Sequence, residues 1–234
     1  MSLVIADNLE KTYQIGEISV NAIRGVNFTI EPASFVSFVG PSGSGKSTLL
    51  NMIGCLDPPS KGSLQVAGKD IADMDRKQAA RFRGENIGFI FQDFNLIPVL
   101  TVFENVEYPL LMVQNWPAQE RKKRVNNLLE AVGMGDQGDK YPSQISGGQK
   151  QRVAVARALV TNAKLVLADE PTANLDGETA NRIISLMKKM RDEFDTTFIF
   201  STHDPKVMKS AEIVFTLEDG KLSKKQNDNG GTHV

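Results

Sequence analysis

The chain is poor in the features that would tie it to a secreted, membrane-spanning or nucleic-acid-coating role. It has one cysteine, Cys55, among 234 residues, so no intrachain disulfide can form. That suits a reducing compartment. Cys55 follows Met52-Ile53-Gly54 at the end of an apolar stretch and reads as a buried structural thiol. Charge of one sign is also missing. Lys plus Arg number 27 and Asp plus Glu 28, which leaves no overall field to gather nucleic acid or anionic lipid. No nucleic-acid partner is therefore expected. No apolar run approaches the roughly 18 residues needed to span a bilayer. Met1 to Lys11 includes Asp7 and Glu10 and lacks the basic-then-apolar order of a secretion signal. The expectation is a chain that does not cross a membrane by itself but can dock on one that does. No repeat of fixed period is present.

What is present is ordinary globular material. Hydrophobic residues make up 41% and charged residues 24%, enough for one large domain or a domain with a built-in lobe. Leu3 to Tyr13 alternates loosely and Val26 to Ile30 cleanly, as half-buried strands do. Phe35-Val36-Ser37-Phe38-Val39 is a short strand that runs into a Gly-rich stretch, and a helix follows to about Gly54. Ser63 to Val66 with Gly68 reads as strand and turn, and Ile87 to Phe91 as a buried strand. From Gln92 to Val160 the pattern is helical. Val125, Leu128, Leu129 and Val132 share a face, and Gly133 stops that helix. Strands return at Leu165 to Ala168, Thr197 to Phe200 and Ile213 to Leu217. Between the first two lies a helix with Ile183, Met187, Met190 and Phe194 on one face. Strands, a helical insert, then strands alternating with helices predict an α/β core with a parallel sheet and a helical lobe. Lys224 to Val234, polar and with Gly230-Gly231, reads as a disordered tail.

Three motifs carry chemistry. Gly40-Pro41-Ser42-Gly43-Ser44-Gly45-Lys46-Ser47 fits the phosphate-loop pattern at every fixed position, between a strand and a helix. Its glycines let successive N–H groups face one cavity, and the helix dipole adds to them. Lys46 can reach the β- and γ-phosphates, and Ser47 can place its hydroxyl on Mg²⁺; Thr48 follows in the same turn. Leu165-Val166-Leu167-Ala168-Asp169-Glu170 delivers two acids at the carboxyl end of a strand, where parallel sheets bind ligands. Asp169 suits the Mg²⁺ shell, and Glu170 can polarise an attacking water. These two motifs point to a nucleotide triphosphatase or a kinase. The third is Ile145-Ser146-Gly147-Gly148-Gln149 ahead of a helix, a second anion-binding helix start.

That third motif resembles the Leu-Ser-Gly-Gly-Gln signature of ABC ATPases, with Ile145 in the Leu position. The resemblance extends over about Leu3 to Leu222. It implies an α/β fold: a P-loop NTPase core of mostly parallel sheet, an N-terminal antiparallel β region and an inserted helical subdomain. The core would span about 3–91 and 161–222 and the subdomain about 92–160. It also implies roles for matching residues. Tyr13 matches the aromatic that stacks on adenine, and Gln92 the loop glutamine that senses Mg²⁺ and the membrane partner. Asn174-Leu175-Asp176 matches the D-loop, and His203 in Ser201-Thr202-His203-Asp204 matches the switch histidine. Phe91 to Val106, and Leu167 to Asp176, are similar to ATPases of the lipoprotein-releasing, macrolide-exporting and FtsE cell-division types (LolD, MacB, FtsE).

The resemblance implies an ATPase that uses ATP and Mg²⁺, paired head-to-tail with a second copy of itself. Each ATP would sit between the phosphate loop of one copy and Ser146-Gly147-Gly148 of the other. The pair would sit in the cytoplasm on the inner face of the cell membrane, against an integral membrane permease subunit. Two other readings stand beside it. A soluble ABC ATPase of DNA repair would need a long coiled-coil insertion, and the roughly 100 residues between phosphate loop and signature hold no heptad run. One of the translation kind usually carries two cassettes, and this chain has one. A regulatory module gated by ATP binding would not need the intact Glu170 and His203.

Overall fold

The clean alternation at Val26 to Ile30 is the end of a much longer strand. β1 (Val4–Ile15) and β2 (Ile18–Ile30) pair antiparallel, from Val4 opposite Ile30 to Ile15 opposite Ile18. The looseness of the alternation in β1 has a cause: the register shifts between Ala6 and Leu9 and again around Lys11. β1 also pairs β4 (Lys61–Val66), which pairs β5 (Lys69–Asp70), giving the sheet order β2-β1-β4-β5.

The computed structural model describes residues 1–114 and 116–226. They form two compact units, Met1–Ala80 with Thr197–Val234, and Arg81–Thr196. The first unit contains the antiparallel sheet and a parallel set. There β3 (Phe35–Val39) lies between β8 (Thr197–Thr202) and β9 (Ile213–Glu218), parallel to both. All residues of β3 and β8 are buried, which explains why they read as apolar runs rather than as alternating strands. Phe28, Phe38 and Phe215 form one ring cluster, with centroids 5.4–5.7 Å apart. Burial of each such ring contributes roughly 1.5–3 kcal/mol. α1 (Lys46–Ile53) follows β3, and the short α7 (Pro205–Met208) follows β8.

The strand after β9 departs from expectation. β10 (Lys221–Gln226) pairs antiparallel with β9, so residues 224–226 belong to the sheet rather than to a tail. Asp219-Gly220, both at positive φ, makes the tight turn, and the backbone of this polar sequence pairs with β9 throughout. The remainder of the expected tail, 227–234, lies outside the described residues.

α2 (Arg76–Asn86) runs across the division between the units. None of its residues is buried, so it gave no apolar period to read. The second unit pairs β6 (Ile87–Ile90) in parallel with β7 (Leu165–Ala168). Its helices are α3 (Val102–Pro109), α4 (Ala118–Ala131), α5 (Gly147–Leu159) and α6 (Gly177–Phe194). This unit is wider than the helical segment 92–160. It takes in β6, β7 and α6 because β6 lies directly on α5: a Cβ on Gly88 would stand 2.0 Å from the Ala158 carbonyl oxygen. α3 starts with a capping box. Thr101 Oγ1 accepts from Glu104 N at 3.2 Å, and Glu104 Oε2 accepts from Thr101 N at 2.7 Å. Pro109 has no N–H to donate, and the chain continues past it as a π-helix, Leu110–Gln114. In α6, Ile183, Met187 and Met190 are buried as expected, while Phe194 is half-buried under the Arg124 guanidinium, 5.1 Å from its ring. Cys55 is buried. No helix of the described residues is long and apolar enough to cross a membrane.

Candidate functional site

In the first unit the chain leaves β3 at Val39 and enters the Gly-rich loop. Gly40 has φ 151°, and a Cβ there would lie 2.1 Å from the Leu217 carbonyl oxygen. Gly45, at φ 106°, precedes α1, and a Cβ there would meet the Ala22 carbonyl at 2.6 Å. Both positions need glycine for conformation and for space. Because Gly45 brings no side chain to cap α1, the first N–H groups of that helix stay open to an anion. Lys46 is buried, and its Nζ donates to the carbonyls of Gly40 at 2.8 Å and Pro41 at 3.0 Å, holding the loop closed on itself. Ser44 Oγ is buried and has no hydrogen-bond partner among the described residues. An orphaned hydroxyl, a bent-back lysine and an open helix start form a cradle that fits phosphate oxygens. Pro41, Ser42, Gly43 and Ser47 are exposed along this loop, and Thr48 is half-buried in the first turn of α1.

Tyr13 lies in the same unit, half-buried on β1. Its hydroxyl donates to Asp57 Oδ2 at 2.6 Å. Burial first, and then that bond, raise its pKa above the ordinary 10.0. His203 is exposed just after β8. There Thr202 Oγ1 accepts from Asp204 N at 3.0 Å and starts the turn.

In the second unit β7 is buried throughout and is followed by Asp169, whose N–H donates to Ile90 O at 3.0 Å. Glu170 follows at φ 48°, an uncommon conformation for a residue with a Cβ, and turns the chain sharply. Asp176 caps α6, accepting from Glu178 N at 3.1 Å and Thr179 N at 3.0 Å, and these bonds hold its carboxyl below the usual 3.8. Ser146 caps α5 in a capping box with Gln149, while Ile145 is buried and anchors the turn. Gly147 faces Leu175 and Phe94: a Cβ on it would lie 3.6 Å from Leu175 Cδ2 and 3.8 Å from Phe94 Cζ. Gly148 has no room for a Cβ, which would stand 2.7 Å from Thr179 Cγ2. Asn174 Nδ2 donates to Gln92 O at 3.1 Å and Asp93 Oδ1 at 2.8 Å. Ser146 to Gly148, the Asn174-Leu175-Asp176 turn and the segment after Gln92 are thus one packed cluster. A cavity of about 280 Å³ opens beside it, bordered by Ser146, Gly148, Gln149, Arg152, Thr179 and Arg182.

Sequence reading missed two parts of this arrangement. Phe94 and Asn95 both have positive φ, 63° and 47°. Arg157, from the far end of α5, donates to both their carbonyls. Burial lowers its pKa to about 10, so it remains a cation at neutral pH. The other missed part is the set of partners of Tyr13. Lys11 and Asp57 lie 46 positions apart, and no local pattern links them.

Comparison with known proteins decides the family. The ABC transporter family model matches residues 23–173. The chain belongs to the ABC transporter family. An uncharacterised ABC transporter ATP-binding protein of Thermotoga maritima is 44% identical over 212 residues, covering 91% of this chain and 90% of that one. The macrolide export ATP-binding/permease protein MacB of Syntrophobacter fumaroxidans is 42% identical over 223 residues, 95% of this chain but only 31% of that longer protein. The dimeric post-hydrolysis structure of the ATP-binding cassette MJ0796 of Methanocaldococcus jannaschii, bound to ADP and Pi, superposes with a TM-score of 0.86 at 42% identity. The match covers 95% of this chain and 98% of that one. This ABC cassette accordingly has the α/β ATPase fold and is an ATP-binding, ATP-hydrolysing subunit of the transporter type.

Proposed function

We propose that this ABC cassette works as a head-to-tail pair on the cytoplasmic face of the cell membrane and drives a permease of the macrolide-export or lipoprotein-release kind. The observation that carries this reading is the duplication of anion-binding helix starts. One is the open N-terminus of α1 after Gly45, and the other is the Ser146-capped N-terminus of α5. ATP held by the phosphate loop of one copy would complete its shell with Ser146, Gly147, Gly148 and Gln149 of the other. The Methanocaldococcus cassette, dimeric with ADP and Pi, supports the pairing. MacB, an ATP-binding and permease protein in one, supports a membrane partner.

In this reading Lys46 leaves its loop carbonyls to pair with the β- and γ-phosphates. Tyr13 stacks on the base, Glu170 polarises the attacking water, and His203 contacts the γ-phosphate. Gln92 and Asp176 complete the surroundings. Ser47, Asp169 and Gln92 offer the hydroxyl, carboxylate and amide oxygens that a hard cation prefers, so they suit Mg²⁺. Bound there, Mg²⁺ would neutralise charge on the transferring phosphoryl group.

Part of the second unit supports the docking of a permease helix. An apolar cavity of about 220 Å³ is lined by Phe89, Phe91, Pro109, Val113 and Ala158, with Arg157 in its wall. Leu111 and Met112 of the π-helix stand exposed next to Val113. Phosphate release with and without the permease in proteoliposomes tests the whole reading. Wild type hydrolyses ATP, and Glu170→Gln does not. Leu111→Glu with Met112→Glu keeps the basal rate and loses permease stimulation. Stimulation retained in that variant would reject this docking surface, and full turnover by Glu170→Gln would reject the assigned chemistry.

A further inference from the structure

Around Tyr13 lies a network that phosphate binding does not require. Lys11, two residues earlier on β1, is only 7% exposed. Its Nζ donates to Asp57 Oδ1 and, at 2.7 Å, to the Pro58 carbonyl. It also lies over the Tyr13 ring, 5.0 Å from the centroid. Asp57 uses its second oxygen to accept the Tyr13 phenol at 2.6 Å.

A buried ammonium needs a counter-charge, and Asp57 supplies it. That leaves one carboxylate oxygen free to accept from the phenol. The ring is then fixed at its hydroxyl by Asp57, and one of its faces is covered by Lys11. Few orientations remain to it, and a flat ligand can use only the other face.

We propose that Lys11 and Asp57 are positioning residues that hold Tyr13 as a preset platform for the nucleotide base. The proposal rests on the reading that Tyr13 stacks on adenine. Its advantage is pre-organisation: the ring does not have to be ordered when ATP arrives. The network should therefore affect the binding of the base and leave the triphosphate alone.

Calorimetric titration with Mg-ATP and with inorganic tripolyphosphate separates these contributions. The proteins are wild type, Tyr13→Ala, Tyr13→Phe, Asp57→Asn and the Tyr13→Phe/Asp57→Asn double variant. Tyr13→Phe and Asp57→Asn should each weaken ATP about fivefold, the size expected for one lost side-chain hydrogen bond. The double variant should be no weaker than the singles, because both break the same link. Tripolyphosphate affinity should not move in any of them. In turnover, KM for ATP should rise with kcat unchanged. Tyr13→Phe leaves the Lys11–Asp57 pair intact, so it carries the test even where Asp57→Asn folds poorly. Wild-type ATP affinity in Tyr13→Ala would overturn the stacking reading itself. Weakened ATP binding in Tyr13→Ala with wild-type affinity in Tyr13→Phe would overturn only the positioning role. Equal loss of ATP and tripolyphosphate in Tyr13→Phe would also overturn it.

Discussion

Single residues in this chain are constrained most where backbone meets backbone. Gly88 of β6 is the tightest case in the second unit, because the Ala158 carbonyl oxygen occupies the place of a Cβ at 2.0 Å. The obstacle is helix backbone, which cannot swing aside as a side chain can. Gly88→Ala should therefore destabilise by roughly 1–3 kcal/mol through overpacking. In a chain of this size that lowers Tm by about 2–4 °C per kcal/mol, read by thermal unfolding. An unchanged Tm would mean that β6 and α5 can separate freely. Gly88 also marks what the sequence could and could not disclose. The phosphate loop was legible because its chemistry is local: a lysine and a hydroxyl at fixed offsets from glycines. So was the Ser146 cap, whose box closes within four residues. Gly88 carries no such pattern, since its partner is 70 positions away. The bonds from Arg157 to Phe94 and Asn95, and from Tyr13 to Asp57, were hidden for the same reason.

At the level of elements, strands and helices with a buried stripe were readable, and those without one were not. β7 begins and ends where its apolar run does, at Leu165 and Ala168. α2 buries nothing, and β10 pairs its backbone with β9 along a largely polar sequence, so neither left an apolar signature. α6 combines a readable stripe with a cap whose state depends on pH. Asp176 is held below its usual 3.8 by the N–H groups of Thr179 and Glu178. Because the folded value is depressed, the capping contribution is fully present above pH 3.8 and is lost as pH falls through the lower folded value. In an NMR titration the Glu178 and Thr179 amides should shift with a midpoint below 3.8 while circular dichroism stays native. Asp176→Asn should keep the cap and remove the titration. A midpoint at or above 3.8 in the wild type would show that the carboxylate does not cap the helix in solution.

On the scale of the whole molecule, each unit carries residues that the proposed reading assigns to nucleotide binding. The first carries the phosphate loop, Tyr13 and His203, and the second carries Asp169, Glu170, Gln92 and the Ser146 helix start. A closed two-fold pair lets each copy lend its Ser146 end to the ATP of the other. ATP should then act as the adhesive, and cleavage of its γ-phosphate should release the pair. Light scattering coupled to gel filtration, with and without ATP in low salt, tests this most directly. Glu170→Gln should bind ATP without cleaving it and run as a dimer only when ATP is present. Adding Ser146→Arg on the same chain should return it to a monomer, because the new side chain fills the place of the partner's phosphate. A Glu170→Gln protein that binds ATP yet stays monomeric at every concentration, or a double variant that still dimerises, would contradict pairing through the Ser146 helix.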